Sequence, residues 1–288
     1  MFIVLTLAAV ANAAGHDARL RPLNPIIGDA AIVGRAACRG ATWLLTVEGN
    51  LIQIAPRAAR TVAHAVPGLR ASDRFWGLAC LDDGSLWTLA TAHVLARLSE
   101  TGTILERRDL SLPHVELFAF RDRFVFLSLP VVNGRSVLAT ARRPDPEEVR
   151  PWTGLLARSA SGGNPAAAIN LVGCGISSVE GIPCWFSNES LLWIGDGIGS
   201  RTISVQSRVR DAALTSAGVL WVLEQSDTVL RGRRVGDRVT AFDREGTRGA
   251  SIPLLEPARL IVTADAETCV LLTVNGNLMQ LSMKEAGR

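Results

Sequence analysis

The residues that could do chemistry in this chain are polar and aromatic side chains in the loops between apolar runs. An enzyme needs acid, base or metal-binding groups that converge, and His93, His114 and Glu116 are of the types that exchange protons near neutral pH. Three further side chains in such loops are suited to binding: Trp76, Arg135 and Asp196. Each of these residues is more often a solvated loop residue, so they predict a binding surface first and a catalytic site second.

A second group of candidates is the arginine cluster Arg231, Arg233 and Arg234, within the stretch Gln225–Asp237. Guanidinium groups match planar carboxylates and phosphates because their donors form a fixed fork. The cluster therefore predicts a rim that recognises anions or carboxylates. The alternative is a hairpin that its charges keep soluble.

The charge pattern argues against nucleic acid as a partner. The net charge is +3, and the basic residues are almost all Arg, interleaved with Asp and Glu along the chain. A phosphate-binding surface needs its positive charge concentrated on one face. No phosphate-binding loop, nucleophile elbow or His-Glu-x-x-His motif occurs.

The N-terminus predicts export. Residues 1–14 combine an apolar run with small residues in an Ala-x-Ala arrangement at Ala11 and Ala13, which is typical of a secretory signal. No Lys or Arg precedes the run, so a buried first strand, or a start that is not the natural one, is the alternative. The run is too short to span a bilayer, and no membrane span is expected. We expect a periplasmic or secreted protein.

The five cysteines fit neither a disulfide scaffold nor a zinc site, because no two are spaced as Cys-x-x-Cys. If the protein is exported, Cys174 and Cys184 could pair across a loop. Cys38, Cys80 and Cys269 stand inside apolar runs, which predicts small, free core residues.

The elements that must position these residues are short strands in a repeat. Residues 75–105 contain four apolar runs separated by Asp-Asp-Gly-Ser, Thr-Ala-His and Glu-Thr-Gly turns, a pattern that predicts a four-stranded antiparallel meander. Similar units of about 40 residues follow one another, as in the blades of a β-propeller. Four tryptophans are predicted at equivalent points of the second strands, where they pack between sheets: Trp43, Trp87, Trp193 and Trp221.

Closure of the ring follows from a count of strands. The last repeat has three predicted strands, and a spare strand is predicted around residues 23–27, so pairing the two chain ends would remove the open edge. We therefore predict an all-β fold: a single propeller domain over residues 19–288, with six blades of four antiparallel strands. The stretch 153–181 is an irregular insertion, and seven blades is the alternative if it hides another one.

The repeat resembles known families. Gly84-Ser-Leu-Trp-Thr-Leu, Gly218-Val-Leu-Trp-Val-Leu and Glu189-Ser-Leu-Leu-Trp-Ile-Gly are similar to the Gly-x-Leu-Trp signature of streptogramin-lyase-like, NHL-type and two-component-regulator-type propellers. The resemblance implies the fold and not an activity. A streptogramin lyase would need a His/Glu pair on the axial funnel, for which the histidines above and Glu116 are candidates. A gluconolactonase-like metal site is not matched in its motif contexts.

In a propeller, the loops between second and third strands and the connections between blades open on the same face, which we call the funnel face. The candidates named above are predicted to lie there. We expect an exported, non-catalytic, monomeric scaffold that binds a protein, peptide or glycan and needs no cofactor. A periplasmic lyase or lactonase-type hydrolase that uses the funnel is the alternative, and a sensor domain without its signalling partner is a weaker one.

Overall fold

The structure is a computed structural model of the chain. It describes residues 16–23, 31–55, 58–63, 76–91, 94–110, 114–120, 123–132, 135–141, 150–151, 174–179, 182–187, 191–195, 200–205, 207–226, 228–230, 233–234, 236–243 and 245–285. In these ranges no helix is long and apolar enough to cross a bilayer.

The described residues form six four-stranded antiparallel sheets and one short hairpin. The first strand of the chain is β1 (His16–Leu23). Sheet 1 consists of β2 (Ile32–Cys38), β3 (Ala41–Thr46), β4 (Leu51–Ala55) and β5 (Ala58–Ala63). Sheet 2 consists of β6 (Trp76–Cys80), β7 (Leu86–Thr91), β8 (Val94–Leu98) and β9 (Ile104–Asp109). Sheet 3 consists of β10 (His114–Phe120), β11 (Arg123–Val132), β12 (Arg135–Ala141) and β13 (Arg150–Pro151).

The second half of the chain continues the pattern. Sheet 4 consists of β14 (Cys174–Val179), β15 (Ile182–Ser187), β16 (Leu191–Gly195) and β17 (Ser200–Ser204). Sheet 5 consists of β18 (Arg208–Leu214), β19 (Leu220–Gln225), β22 (Arg238–Phe242) and β23 (Arg248–Pro253), with the hairpin β20 (Val229–Leu230) and β21 (Arg233–Arg234) between its second and third strands. Sheet 6 consists of β24 (Ala258–Ala264), β25 (Thr268–Thr273) and β26 (Leu278–Glu285), and β1 pairs with β26.

The sheets are arranged radially. The first strand of each sheet contacts the first strand of the next along the chain, from β2 to β24, and β24 contacts β3 of sheet 1. Two of these strands come very close at Gly34 of β2, where an added Cβ would lie 2.6 Å from backbone atoms of Gly77 and Leu78 in β6. Only glycine allows the two strands to come this close.

The core lies between the sheets. One cluster joins Trp43 and Leu45 of sheet 1 to Leu78 and Leu98 of sheet 2, and another joins strands of sheets 5 and 6. A further cluster joins Leu44, Ile52 and Ile54 of sheet 1 to Val262, Val270, Leu272 and Leu278 of sheet 6. Each fully buried side chain of this size contributes roughly 1.5–3 kcal/mol, so packing between neighbouring sheets holds the arrangement together.

The prediction for the tryptophans is confirmed at three positions and wrong at one. Trp43, Trp87 and Trp221 lie on the second strands β3, β7 and β19 and are at most 3% exposed. Trp193 lies on β16, the third strand of sheet 4, opposite Trp185 on the second. The reason is that Cys174–Val179, inside the stretch interpreted as an insertion, forms the first strand of that sheet.

The cysteine predictions are corrected by the geometry. Cys38 and Cys80 are not free core residues but form a disulfide, with Cα atoms 5.5 Å apart, between the ends of β2 and β6. Cys174 lies opposite Ser187 and Cys184 opposite Ser177, three register steps away. That separation is about 10 Å along the strands, beyond the reach of a disulfide. Cys269 is free and buried, as predicted.

The N-terminal strand lies earlier than predicted. β1 covers residues 16–23 rather than 23–27, and Leu20 is opposite Leu281 in β26. Residues 1–14, the predicted signal, lie outside the described residues.

Candidate functional site

Two kinds of loop meet at one end of the sheets. In sheet 1, the amide of Val47, just after β3, donates to the carbonyl of Ala31, just before β2, at 2.8 Å. In sheet 6, Val274 N donates in the same way to Pro257 O at 2.9 Å. The loops between second and third strands therefore adjoin the connections between sheets, as expected for the funnel face.

The first strands begin at this face with an irregularity that recurs. In five of them, β2, β6, β10, β18 and β24, a bulge leaves one residue near the start without a partner. A bulge bends its strand and re-aims the neighbouring side chains. Asp211 in β18 and Glu116 in β10 both follow their bulge directly, so the two residues occupy equivalent register positions in sheets 5 and 3.

Asp211 is the centre of a buried polar contact among three sheets. Arg35 in β2 binds it in a bidentate way: Nη1 donates to Oδ2 at 2.6 Å, and Nη2 donates to Oδ1 at 2.8 Å. Arg35 Nη1 also donates to the carbonyl of Ile261 in β24, and Ile261 N donates to Asp211 Oδ2 at 2.7 Å. The side chains of Arg35 and Asp211 are only 12% and 7% exposed. We call this group the axial ion pair, since it joins the first strands of sheets 1, 5 and 6.

A neighbouring contact repeats the connection between sheets 5 and 6. Arg210, the bulged residue of β18, donates from Nε to the carbonyl of Arg259, the first bulged residue of β24, at 3.0 Å. The Arg210 guanidinium therefore lies where the first strands of sheets 5 and 6 begin, at the funnel face. This placement suits recognition of an anionic ligand.

A second buried carboxylate lies near the hairpin of sheet 5. Glu224, near the end of β19, is 1% exposed and accepts a hydrogen bond from Thr240 Oγ1 at 2.5 Å. Arg248 Nη2 lies 3.6 Å from its Oε1, and Arg238 Nε lies 4.0 Å from its Oε2. Among the described residues, none donates a hydrogen bond to Oε2. The two guanidinium groups offset the cost of burying the charge.

The predicted site residues are divided between described and undescribed parts of the chain. Trp76, His114 and Glu116 lie at the starts of the neighbouring first strands β6 and β10, which brings these three positions to the funnel face. Arg135 begins β12, and Arg233 and Arg234 form β21, opposite Leu230 and Val229. Three predicted residues lie outside the described residues: His93, Asp196 and Arg231.

The sequence interpretation missed the polar residues that the geometry brings together at the axis: Arg35, Arg210, Asp211 and Arg259. It began the first strand of sheet 5 at residue 212, whereas β18 begins at residue 208. A usable signal was present, because Arg210-Asp211 precedes an apolar run at the place where His114 and Glu116 stand in sheet 3. Within the described ranges, no three His, Cys, Asp or Glu side chains are placed to hold a metal ion together.

Comparison with known proteins gives the fold. No family model matches the chain, and no curated protein matches its sequence. Among solved structures, it is similar to a catalytically inactive virginiamycin B lyase from Staphylococcus aureus with quinupristin. That structure has 12% identity, a TM-score of 0.53 and coverage of 93% of this chain and 100% of the lyase.

Two other similar structures are a gluconolactonase and a WD40 domain. The gluconolactonase XC5397 from Xanthomonas campestris gives 15% identity, a TM-score of 0.58 and coverage of 96% and 94%. The WD40 β-propeller domain of Doa1 gives 12% identity, a TM-score of 0.51 and coverage of 93% and 98%. These likenesses, together with the radial antiparallel sheets, show that the chain has a β-propeller fold.

Proposed function

We propose that the chain is an exported, monomeric, six-bladed β-propeller that acts as a non-catalytic scaffold for a protein, peptide or glycan ligand. In this proposal each four-stranded sheet is one blade, and β1 completes the last blade. The pairing of β1 with β26 and the cluster that joins sheets 6 and 1 support it, because closure removes an edge that would otherwise invite aggregation.

The main observation in favour of a non-catalytic scaffold is that both carboxylate oxygens of Asp211 are hydrogen-bonded within the protein. A catalytic carboxylate needs an oxygen free to take a proton or to bind a cation. Both oxygens of Asp211 instead accept hydrogen bonds, from Arg35 and from Ile261 N. This buried carboxylate is therefore engaged in joining the first strands, which fits a rigid scaffold better than a reaction centre.

The arginines indicate the chemistry of the ligand. Arg210 and Arg259 lie where the first strands begin, and the hairpin β20–β21 brings Arg233 and Arg234 to a loop of the same face. We propose that carboxylate-bearing ligands bind across this face, since guanidinium groups bind carboxylates with paired hydrogen bonds.

Export is supported by the disulfide between Cys38 and Cys80. Disulfides persist in oxidising compartments and are rare in the reducing cytosol. We propose that residues 1–14 direct the chain to the periplasm or the medium. Fractionation of cells that express the full sequence, followed by mass spectrometry of the N-terminus, tests this: a full-length chain retained in the cytosol would contradict it.

Binding can be tested with arrayed peptides of acidic, neutral and basic composition. We expect the acidic peptides to bind, and we expect Arg233→Ala/Arg234→Ala to weaken that binding at least fivefold. The matched control is Arg107→Ala/Arg108→Ala, which removes the same charge from the exposed outer strand β9. Equal losses in the two variants would show only a general charge effect, and a lack of preference for acidic peptides would refute the proposed ligand chemistry.

The enzyme alternative is a lyase or lactonase-type hydrolase. The observation that favours it is the placement of His114 and Glu116 at the start of β10, with Glu116 equivalent to Asp211. Similar folds are described as a virginiamycin B lyase and a gluconolactonase. We expect no turnover of a lactone panel or of a cyclic streptogramin B depsipeptide. The enzyme would be established instead by hydrolysis or ring opening that EDTA stops and that Glu116→Gln abolishes. The purified protein would then also contain a divalent ion in stoichiometric amount.

A further inference from the structure

A groove of about 670 Å³ lies between sheets 1 and 2, on the face opposite the funnel. Its walls are the turns that join first to second and third to fourth strands, and these turns leave the sheets at the other end from the loops described above. Grooves of this volume accommodate small ligands or a few residues of a peptide.

At the interface between sheets 5 and 6, the equivalent space is closed by a tryptophan that hydrogen-bonds to the neighbouring sheet. There Trp221, on the second strand of sheet 5, donates from Nε1 to the carbonyl of Asp265 in the first turn of sheet 6, at 2.8 Å. Trp43 occupies the equivalent position in sheet 1 and packs toward sheet 2. It lines the groove, and within the described part of the chain its Nε1 donates no hydrogen bond.

The length of the turn between the first and second strands explains why the interface between sheets 1 and 2 stays open. Only Arg39 and Gly40 lie between β2 and β3, whereas residues 215–219 lie between the equivalent strands β18 and β19 of the sheet that carries Trp221. The short turn leaves space that the Arg39 side chain enters, with its guanidinium packed directly on Gly84. Arg39 then forms an ion pair with Glu100 across the groove, at 2.5 Å. Both side chains are more than half exposed, so this ion pair is weak and yields readily to a ligand.

We propose that this groove binds a neutral peptide segment that inserts one apolar side chain. The rim contains Leu105, which is 55% exposed, and the wall contains the buried Leu86 and Leu98. Trp43 Nε1 is a donor suited to a backbone carbonyl of the peptide. The charged side chains of the lining are two arginines and two carboxylates, so the groove has no net charge to attract an ion.

A glycan fits this groove less well than a peptide does. Carbohydrate sites typically offer the face of an aromatic ring, but Trp43 is only 3% exposed and its ring is packed in the core. The disulfide Cys38–Cys80 links the two sheets beside the groove, and Cys38 is part of its lining, so the two walls are held at a fixed separation before any ligand binds.

The proposal goes beyond the proposed function, because it concerns the opposite face and a neutral ligand. It is tested by panning a phage-displayed library of random 12-residue peptides against the folded protein, and by measuring the affinities of the enriched peptides with three variants. Leu105→Glu places a charge on the rim, and Trp43→Phe removes the N–H but keeps an aromatic side chain. Leu255→Glu makes the same change as the first variant at another exposed leucine, which follows β23 at the funnel face.

We expect one class of enriched peptides to have low net charge and a Leu, Ile, Val or Phe in common, separate from any acidic peptides that the funnel face selects. Leu105→Glu should weaken their binding at least tenfold and Trp43→Phe about two- to tenfold, the range for one hydrogen bond, while Leu255→Glu should have no effect. Circular dichroism must show that each variant is folded. The proposal is overturned if no peptide is enriched, if Leu105→Glu binds like the wild type, or if Leu255→Glu alone weakens binding. Competition of the peptides by oligosaccharides would assign the groove to glycans instead.

Discussion

Removal of the disulfide between Cys38 and Cys80 is the perturbation whose magnitude the structure determines best. The two cysteines are 42 residues apart, so the bond restricts a loop of that length in the unfolded chain. Loop-closure entropy for this separation corresponds to about 4 kcal/mol at 25 °C, within the range of 2–5 kcal/mol measured for native disulfides. The variant Cys38→Ala/Cys80→Ala should lose that much free energy of unfolding.

The loss can be expressed as a melting temperature. For a chain of 288 residues, an unfolding entropy of about 2.1 cal/mol/K per residue converts 4 kcal/mol into a decrease in Tm of about 7 °C. Differential scanning calorimetry measures this directly. A reducing agent should lower the Tm of the wild type to that of the variant and leave the variant unchanged, which controls for other effects of the reductant.

Two results would refute the reasoning. If the variant melts at the wild-type temperature, the disulfide does not restrict the unfolded chain as calculated. If peptide mapping under non-reducing conditions finds Cys38 bonded to a cysteine other than Cys80, sheets 1 and 2 are not adjacent in the way described.

Three further predictions follow from buried or hydrogen-bonded groups. Asp211→Ala should lower the free energy of unfolding by about 3–5 kcal/mol because it leaves the Arg35 charge buried without a partner. The double variant Arg35→Met/Asp211→Leu removes both charges and should lower the free energy of unfolding by less. Equal chemical-denaturation curves for the wild type and Asp211→Ala would contradict this. Burial raises the pKa of the Cys269 thiol, so iodoacetamide should modify Cys269 only after denaturation, and mass spectrometry that finds native labelling would contradict its burial. Two hydrogen bonds from Ser85 hold the pKa of Asp83 below its ordinary value, the one from the side chain having the larger effect and the one from the backbone the smaller. The stability that this carboxylate contributes is therefore fully present above the pKa of the unfolded chain. It is lost as the pH falls through the lower pKa of the folded protein. Ser85→Ala should raise the pKa of Asp83 in an NMR titration, and an unchanged value would exclude the hydroxyl as the main cause.

The repeating sheets could be predicted from the sequence because their signals are local. In sheet 2, the Asp82-Asp83-Gly84-Ser85 turn and the apolar runs around Trp87 stand next to each other in the chain. Sheet 4 shows the limit of this reasoning. Its first strand, Cys174–Val179, is made of small and polar residues with few large apolar ones. The apolar pattern therefore does not predict this strand, and the prediction places Trp193 one strand too early.

The contacts between sheets could not be predicted in the same way. Arg35 and Asp211 are 176 residues apart, and nothing in either segment indicates the other, since only the radial arrangement brings β2 and β18 together. The disulfide had a weak signal, because Cys38 and Cys80 both end the first strand of consecutive repeats. Equivalent positions in adjacent sheets are neighbours in space, and that comparison would have suggested the pair.

Closure of the ring by the two chain ends is the claim on which the funnel face depends, and an engineered cross-link tests it most directly. Arg19 lies opposite Ser282 in the pairing of β1 with β26. In Arg19→Cys/Ser282→Cys a new disulfide should form on mild oxidation and raise the Tm, whereas the mismatched pair Arg19→Cys/Met279→Cys should remain reduced. The account is contradicted if the matched pair stays reduced in the folded protein, or if both pairs oxidise equally well.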